Sequence, residues 1–571
     1  MNAVRRLIPA VALSLMALLP IVEMVSRMAR LPGIPGSTVV VQHLTLWIAF
    51  IGAALAAWSG RLLALSANTF LPERWAGGAR AFVAAVGVAI AICLAWASAR
   101  FVNTVGQSIM PVGFLLVALG IRRQTWVLGL GLLVPAMLGL LPAPHSTVVV
   151  ACGIGVILVA ALLELPIFAT LGGIALVLFW NEGVPVAAVP VETYRLAASP
   201  VLPSIPLFTF AGYLLVEGGA NRRLLGVYQA LLGWMPGGLA VTTAVVCAVF
   251  TWAGSGVTIL AMGGLLLPML VKARYPENFS LGLINASGSL GLLFPPSLPV
   301  ILYGVYARTP IDQLFLGGAL PGLLMVSMVS AWGVYQGVRN RAESTRFSLN
   351  EARRAVWAAK WELAIPAIVL IGLFGGFGTL VEAGAITVAY VFVVECLVYK
   401  GLSARRDYAR VAMECVTVIG GVLLIIGVAV GLTNYLVDAQ MPALLIAWTH
   451  AHVHSKYVFL LLLNVVLLIK GSFMDVFSAI IVVVPLITPI AASFGIEPVQ
   501  LGIIFLANLE LGYLTPPVGM NLCLSAVRFR KPMATVYRAT LPFYVILLAG
   551  VLLITYVPWI TMAPVHWLAG R

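Results

Sequence analysis

Charge is what this sequence has least of. Asp, Glu, Lys and Arg make up 9% of its 571 residues, where a soluble globular protein carries roughly 25%. So few charges cannot clothe a water-facing surface of this length, which excludes a soluble enzyme or binding module. Several chemical motifs are missing too. No Gly-Lys dipeptide occurs, so there is no phosphate-cradling P-loop and no ATP-driven work through that fold. Neither a Gly-x-Ser-x-Gly elbow nor a His-Glu-x-x-His pair is present. Cys93, Cys152, Cys247, Cys396, Cys415 and Cys523 are scattered through apolar runs without metal or redox spacing, as small buried hydrophobes are. No cluster of catalytic side chains accumulates in the apolar runs, which argues against a membrane-embedded enzyme.

What the sequence has instead is hydrocarbon. Hydrophobic residues make up 62% of it, and its mean hydropathy is +1.07. About fifteen apolar runs recur, some too short or too interrupted to be simple spans; crossing a bilayer core takes roughly 20 residues of helix. A β-barrel would show short alternating segments instead. The expected fold class is an all-α polytopic membrane protein, with the lipid bilayer as its solvent. The net charge of +14 does not indicate nucleic acid. The basic residues gather in short connections, Arg339 to Lys360 and Lys400 to Arg410, as cytoplasmic loops do.

Runs at 7–28, 38–59, 80–101 and 105–121 predict an N-terminal four-helix unit, its first run a retained span. With the N-terminus inside, the inner flanks carry seven basic residues and the outer flanks three. A further run, 124–142, connects this unit to the rest. The expected organisation is therefore a small membrane domain over 1–122, a connecting helix over 123–145 and a larger domain over 146–571.

The larger part repeats itself. A shift of 221 residues lays "LGLLFPP" (290–296) on "LGYLTPP" (511–517), with five identities in seven positions. Upstream, "GSGVTILAMGGLLLP" (254–268) faces "GSFMDVFSAIIVVVP" (471–485). The repeat elements are 254–307 and 471–527. The double prolines, Pro295-Pro296 and Pro516-Pro517, remove backbone donors and break a helix. In hydrocarbon a broken helix survives only where protein or a watery cavity satisfies the freed groups, and paired breaks in two halves point to a transporter's binding site. The Gly-Ser segments read as re-entrant hairpins. Their hydroxyls, Ser255 and Thr258 in the first and Ser472 and Ser478 in the second, stand with a carboxylate, Asp475. Hydroxyls, freed carbonyls and one carboxylate suit a hard cation such as sodium.

The motifs "PSIPLFTFAGYLL" (203–215), "FTWAGSGVT", "GSLGLLFPPS", "FLGGALPGLL", "GSFMDVFSAI", "GIEPVQLGII" and "GYLTPPVGMNL" fall in order over about 146–562. In them the chain resembles the membrane component of a TRAP (tripartite ATP-independent periplasmic) transporter, with small and large subunits fused (QM type). The small-subunit likeness rests on four spans and "IMPVGFLLVALG" (109–120). The resemblance implies an elevator-type transport domain of two hairpins and two broken helices, beside a scaffold. It also implies sodium as the coupling ion with no other cofactor or transition metal, a periplasmic substrate-binding protein as partner, a small organic anion such as a dicarboxylate or sialic acid as cargo, and residence in a bacterial inner membrane. The expected unit is a monomer. Sodium sites then map onto Ser255, Gly256 and Ser297 in the first repeat, and onto Ser472, Asp475, Thr515 and Gly519 in the second. Thr258, Gly291, Pro295, Pro296, Pro516 and Pro517 complete the candidate set.

The chain departs from the family pattern in places. Ala253-Gly254-Ser255 stands where Ser-Gly-Ser is frequent, "TLVEA" (379–383) keeps only Thr379 and Glu382 of a longer motif, and Lys470 precedes the second Gly-Ser. Lys470 either pairs with Asp475 or reaches for the interface. His450, His452 and His454 alternate in "HAHVH", read as a solvated loop because no further metal ligand is near. "RRLLGVYQALLGW" (222–234) reads as an amphipathic brace at the interface. The alternative function is a sodium-dicarboxylate type symporter that works without a binding protein.

Overall fold

The structure is a computed structural model that describes residues 2–62, 64, 73–102, 109–121, 146–197, 199–251, 255–344, 346–374, 378–403, 407–473, 476–516 and 519–569. The expected connecting run 124–142 lies outside them, as do Asp475 and Pro517. All regular elements among the described residues are helices. Eight are long and apolar enough to cross a membrane, or ten if each of two bent pairs counts as one span. Eight shorter apolar helices of 10–17 residues account for many of the interrupted runs. The chain is an all-α polytopic membrane protein.

The residues divide into two compact units. The first comprises Met1–Leu207, Arg405–Leu444 and Ile481–Pro485; the second comprises Phe208–Ala404, Leu445–Ile480 and Leu486–Arg571. In the first unit, the four expected N-terminal helices form over Asn2–Met28, Ser37–Ser59, Glu73–Phe101 and Ile109–Ile121. The most buried span is Tyr408–Asp438: 83% of its most apolar window is covered, against 39% for Leu7–Met28. Small residues make that burial possible. Gly52 and Gly420 cross so closely that a Cβ on Gly52 would land on the Val416 carbonyl and one on Gly420 would meet the Gly52 backbone. This is how helices pack in lipid, where backbone approach and van der Waals contact replace the hydrophobic drive. Thr193 adds a polar tie, its hydroxyl 3.0 Å from the Gly427 carbonyl.

In the second unit the first double proline interrupts a span. Glu277–Ser287 passes through a 3₁₀ turn at Leu290–Leu293, Phe294 is extended as a residue before proline tends to be, and Leu298–Ala307 resumes at a bend of 44°. The bond between Pro295 and Pro296 is cis. The second break ends Pro498–Gly512 and resumes at Met520–Phe529. A further bent pair, Leu349–Ala358 and Lys360–Gly372, turns by 61° and has no double proline to announce it. The "TLVEA" segment forms a capping box: Thr379 N–H donates to the Glu382 carboxylate at 2.6 Å, and Glu382 N–H donates to the Thr379 hydroxyl at 3.3 Å. Its two retained residues therefore start a helix.

Candidate functional site at the tips and breaks of the two repeats

The helix bounds set the register of the repeats. Ser255–Lys272 and Val476–Ser493 each span 18 residues and begin 221 apart. Glu277 and Pro498, which open the next helices, are again 221 apart. The turns between them match in detail, with Arg274 at φ 70° and Gly495 at φ 67° in the left-handed region. Pro268 thus faces Pro489 and not Pro485, and each stands 27 residues before the first proline of its pair. The Gly-Ser pairing expected from sequence is four residues out of step. Gly471 and Ser472 end the helix Lys456–Phe473, whereas Ser255 opens the helix after its junction. A small-residue dipeptide serves either position, so its identity misled. The counterpart of Ser472 is Thr251, and that of Asp475 is Gly254.

In the second repeat the tip and the break meet. Gly519 N–H donates to the Ser472 carbonyl at 3.1 Å, and Val476 N–H donates to the Tyr513 hydroxyl at 3.0 Å. Gly471 and Gly512 pack backbone against backbone: a Cβ on Gly512 would stand 2.6 Å from the Gly471 Cα. Gly519, at φ 50°, turns beneath the Thr515 and Tyr513 carbonyls, each 3.0 Å from where its Cβ would be. The hydroxyls of Ser472 and Thr515 donate to their own helices, at Ile469 (2.7 Å) and Leu511 (3.0 Å). Ser478 is fully buried and Pro516 is exposed.

The first repeat uses the same plan with other residues. Thr251, missed by the sequence reading, donates to the Cys247 carbonyl at 2.6 Å and lies 3.2 Å from the Gly288 carbonyl. A Cβ on Gly291 would strike the Ala248 carbonyl and the Thr251 side chain. Gly291 and Gly512 thus occupy equivalent close crossings. Ser255 and Gly256 begin their helix, and Thr258 is buried one turn on. Ser297 is 1% exposed, and its hydroxyl has no hydrogen-bond partner among the described residues. Pro295 and Pro296 line a cavity.

Two buried polar groups cross-link helices of the second unit, and the first joins the two copies. Asn285, on the first broken helix, donates to the Thr540 hydroxyl at 3.0 Å, accepts from Ser525 and offers its carbonyl to Asn521 at 3.3 Å. Asn508 donates to Asn464 at 2.5 Å, which also accepts from Thr555 at 3.2 Å. Near Asn508 stands a group the sequence reading overlooked. Glu510 is fully buried two residues before Gly512, and neither of its oxygens has a partner among the described residues. A carboxylate inside an apolar run was a readable signal; its counterpart is Ser289.

The histidines differ from expectation. The helix Met441–His452 includes two of them, and in the second unit His450 stacks on Phe494 (4.8 Å) and reaches the Ser493 hydroxyl (2.9 Å). No group of three metal-ligating side chains occurs among the described residues. Lys470 makes no ion pair among them. The brace at 222–234 is a helix, Ala220–Leu232, anchored by Arg223, which forks between the buried carboxylates of Glu362 and Glu395. The Tyr399 ring lies 4.0 Å beneath the Arg223 guanidinium, and its hydroxyl donates to Glu362 at 3.0 Å. Burial, then the Glu362 charge, raises the Tyr399 phenol above its usual range, so it stays a donor.

The chain is similar to known membrane transport components. Isethionate TRAP transporter permease protein DctMQ of Oleidesulfovibrio alaskensis is 35% identical over 63% of this chain and 57% of its own length. C4-dicarboxylate TRAP transporter large permease protein DctM of Pseudomonas aeruginosa is 32% identical over 70% of this chain and 93% of its own. Ectoine/5-hydroxyectoine TRAP transporter large permease protein UehC of Ruegeria pomeroyi is 32% identical over 63% and 84%. The family described as "Tripartite ATP-independent periplasmic transporter, DctM component" matches residues 154–560. The chain is thus a transporter component of the bacterial inner membrane and not an enzyme, and it belongs to the TRAP transporter DctM family.

Proposed function

We propose that this chain couples inward sodium flow to uptake of a small organic acid that a periplasmic binding protein delivers, by an elevator movement of the repeated elements. The observation that carries the reading is the 3.1 Å bond from Gly519 N–H to the Ser472 carbonyl. It fastens a helix tip to a helix break, where freed carbonyls, hydroxyls and a carboxylate can share a hard cation. The two repeats supply the moving part, and the N-terminal helices over 1–122 the small-subunit part of the scaffold. The cargo is a small organic anion. Relatives of similar identity carry isethionate, C4-dicarboxylate and ectoine in their names, so overall likeness does not choose among acids.

Reconstitution tests this. Uptake into proteoliposomes should require both an inward sodium gradient and the cognate binding protein. Uptake with the membrane protein alone would instead favour a sodium-dicarboxylate type symporter. Ser255→Ala and Asp475→Ala should each raise the sodium concentration for half-maximal uptake about 10–100-fold, as loss of a metal-site group does, with expression unchanged. An unaltered sodium dependence in both would remove these residues from the ion sites.

A further inference from the structure

The second unit contains a cavity of about 370 Å³, within the range of small-ligand pockets, roughly 300–1,000 Å³. One wall is the first helix break, with Gly291, Phe294, Pro295 and Pro296. Another is the helix Gly238–Phe250, through Val245 and Val249; a third is the long span Ile311–Arg339, through Leu323 and Val326. The position beside a break invites an organic-anion site, but the chemistry opposes it. The lining is apolar except for Glu362. That carboxylate and Glu395 flank a single cation, Arg223, so the cluster carries a formal charge of −1 and spends its donors internally. An incoming carboxylate would find a like charge and no free donor, an arrangement costly at low dielectric.

Hydrocarbon fits on every count. Leu323 is 54% exposed and Leu370, across the rim, is 38% exposed. Leu323 lies on a helix long and apolar enough to cross a membrane and Leu370 on one half of a bent apolar pair, so the cavity is flanked by exposed apolar surface. A chain entering between them would meet only carbon until it reached the paired Glu362. We propose that this cavity is an acyl-chain site: one tail of a bilayer phospholipid inserts beside the first break and contacts Phe294 and the double proline. Its lining shares Gly291, Pro295 and Pro296 with the candidate binding set, and its occupancy does not depend on which acid is transported.

A phosphatidylethanolamine with a diazirine in its acyl chain, incorporated into phosphatidylethanolamine–phosphatidylglycerol proteoliposomes, tests the proposal. After illumination, mapped adducts should be enriched on Val249, Leu323 and Val326 over Leu461 and Val465, exposed positions on the helix Lys456–Phe473. Val249→Phe and Val326→Phe each put a ring into the cavity and partly fill it. Each should cut cavity labelling several-fold and leave labelling at Leu461 unchanged, which also reports that the variant is folded. Excess succinate with sodium should leave the pattern as it was. Even labelling of cavity and surface, retention in the partly filled variants, or displacement by succinate would overturn the acyl-chain assignment.

Discussion

Arg223 lies between two carboxylates that water does not reach: the side chains of Glu362 and Glu395 are 1% and 0% exposed, and that of Arg223 is 21%. Removing one member of such a group leaves charge buried without a partner, at a cost of roughly 3–5 kcal/mol. Arg223→Ala should therefore lower the melting temperature in detergent markedly, and adding Glu362→Gln and Glu395→Gln should restore much of it; no recovery in the triple variant would mean that packing by the arginine stem, not charge, dominates. Glu510 poses the opposite case. A lone buried carboxyl is costly to stability, so its retention beside a helix break points to use. Glu510→Gln keeps the shape and removes the ionisable group. Thermal stability should hold or rise while sodium-dependent uptake falls. A variant that melts early and transports normally would make Glu510 a structural residue.

At the scale of elements, close backbone crossings do what side-chain burial does in a soluble core. Gly512→Leu must force apart the Gly471 crossing, and overpacking of this kind costs about 1–3 kcal/mol. Because that crossing joins a tip to a break, uptake should suffer more than folding. Gly420→Leu, at the Gly52 crossing of the first unit, should chiefly reduce folded yield on size-exclusion chromatography. Equal losses of uptake per folded molecule in the two variants would deny the second crossing a special role. These elements also show what the sequence made legible. Prolines act through missing donors and fixed backbone, so Pro295-Pro296 and Pro516 located both breaks from composition alone. Gly-Ser acts through smallness, which serves a helix end as well as a helix start, so it misplaced the register by four residues until helix bounds were known. The bend at Ala359 and the Arg223 fork were not legible. Both depend on partners far away in the chain, Tyr399 and Glu395 among them.

For the whole molecule, orientation follows from where the basic residues stand. The connection after Arg339 contains Arg341 and Arg346, and Arg353 and Arg354 follow on the amphipathic helix Leu349–Ala358. Each such residue favours the cytoplasmic side. A single cysteine at Glu343, in a background where Cys152 and the other native cysteines are serine, should react with an impermeant maleimide in inside-out vesicles and not in right-side-out ones. The converse would invert the topology and the direction assigned to transport.

The shared register of the two copies reaches beyond folding. With no insertion between Ser255 and the double proline in one copy, or between Val476 and its double proline in the other, the copies differ at these places by substitution alone. At the helix junction and at the break, the two substitutions that add a carboxylate, Gly254 to Asp475 and Ser289 to Glu510, fall in the second copy, while the turn between them carries one carboxylate in each copy, Glu277 and Glu497. A full charge moved through the membrane field is worth about 2.3 kcal/mol per 100 mV. The second copy is therefore where membrane voltage should take hold of the transport cycle, while the first, with no carboxylate at either place, should move through the field almost unfelt.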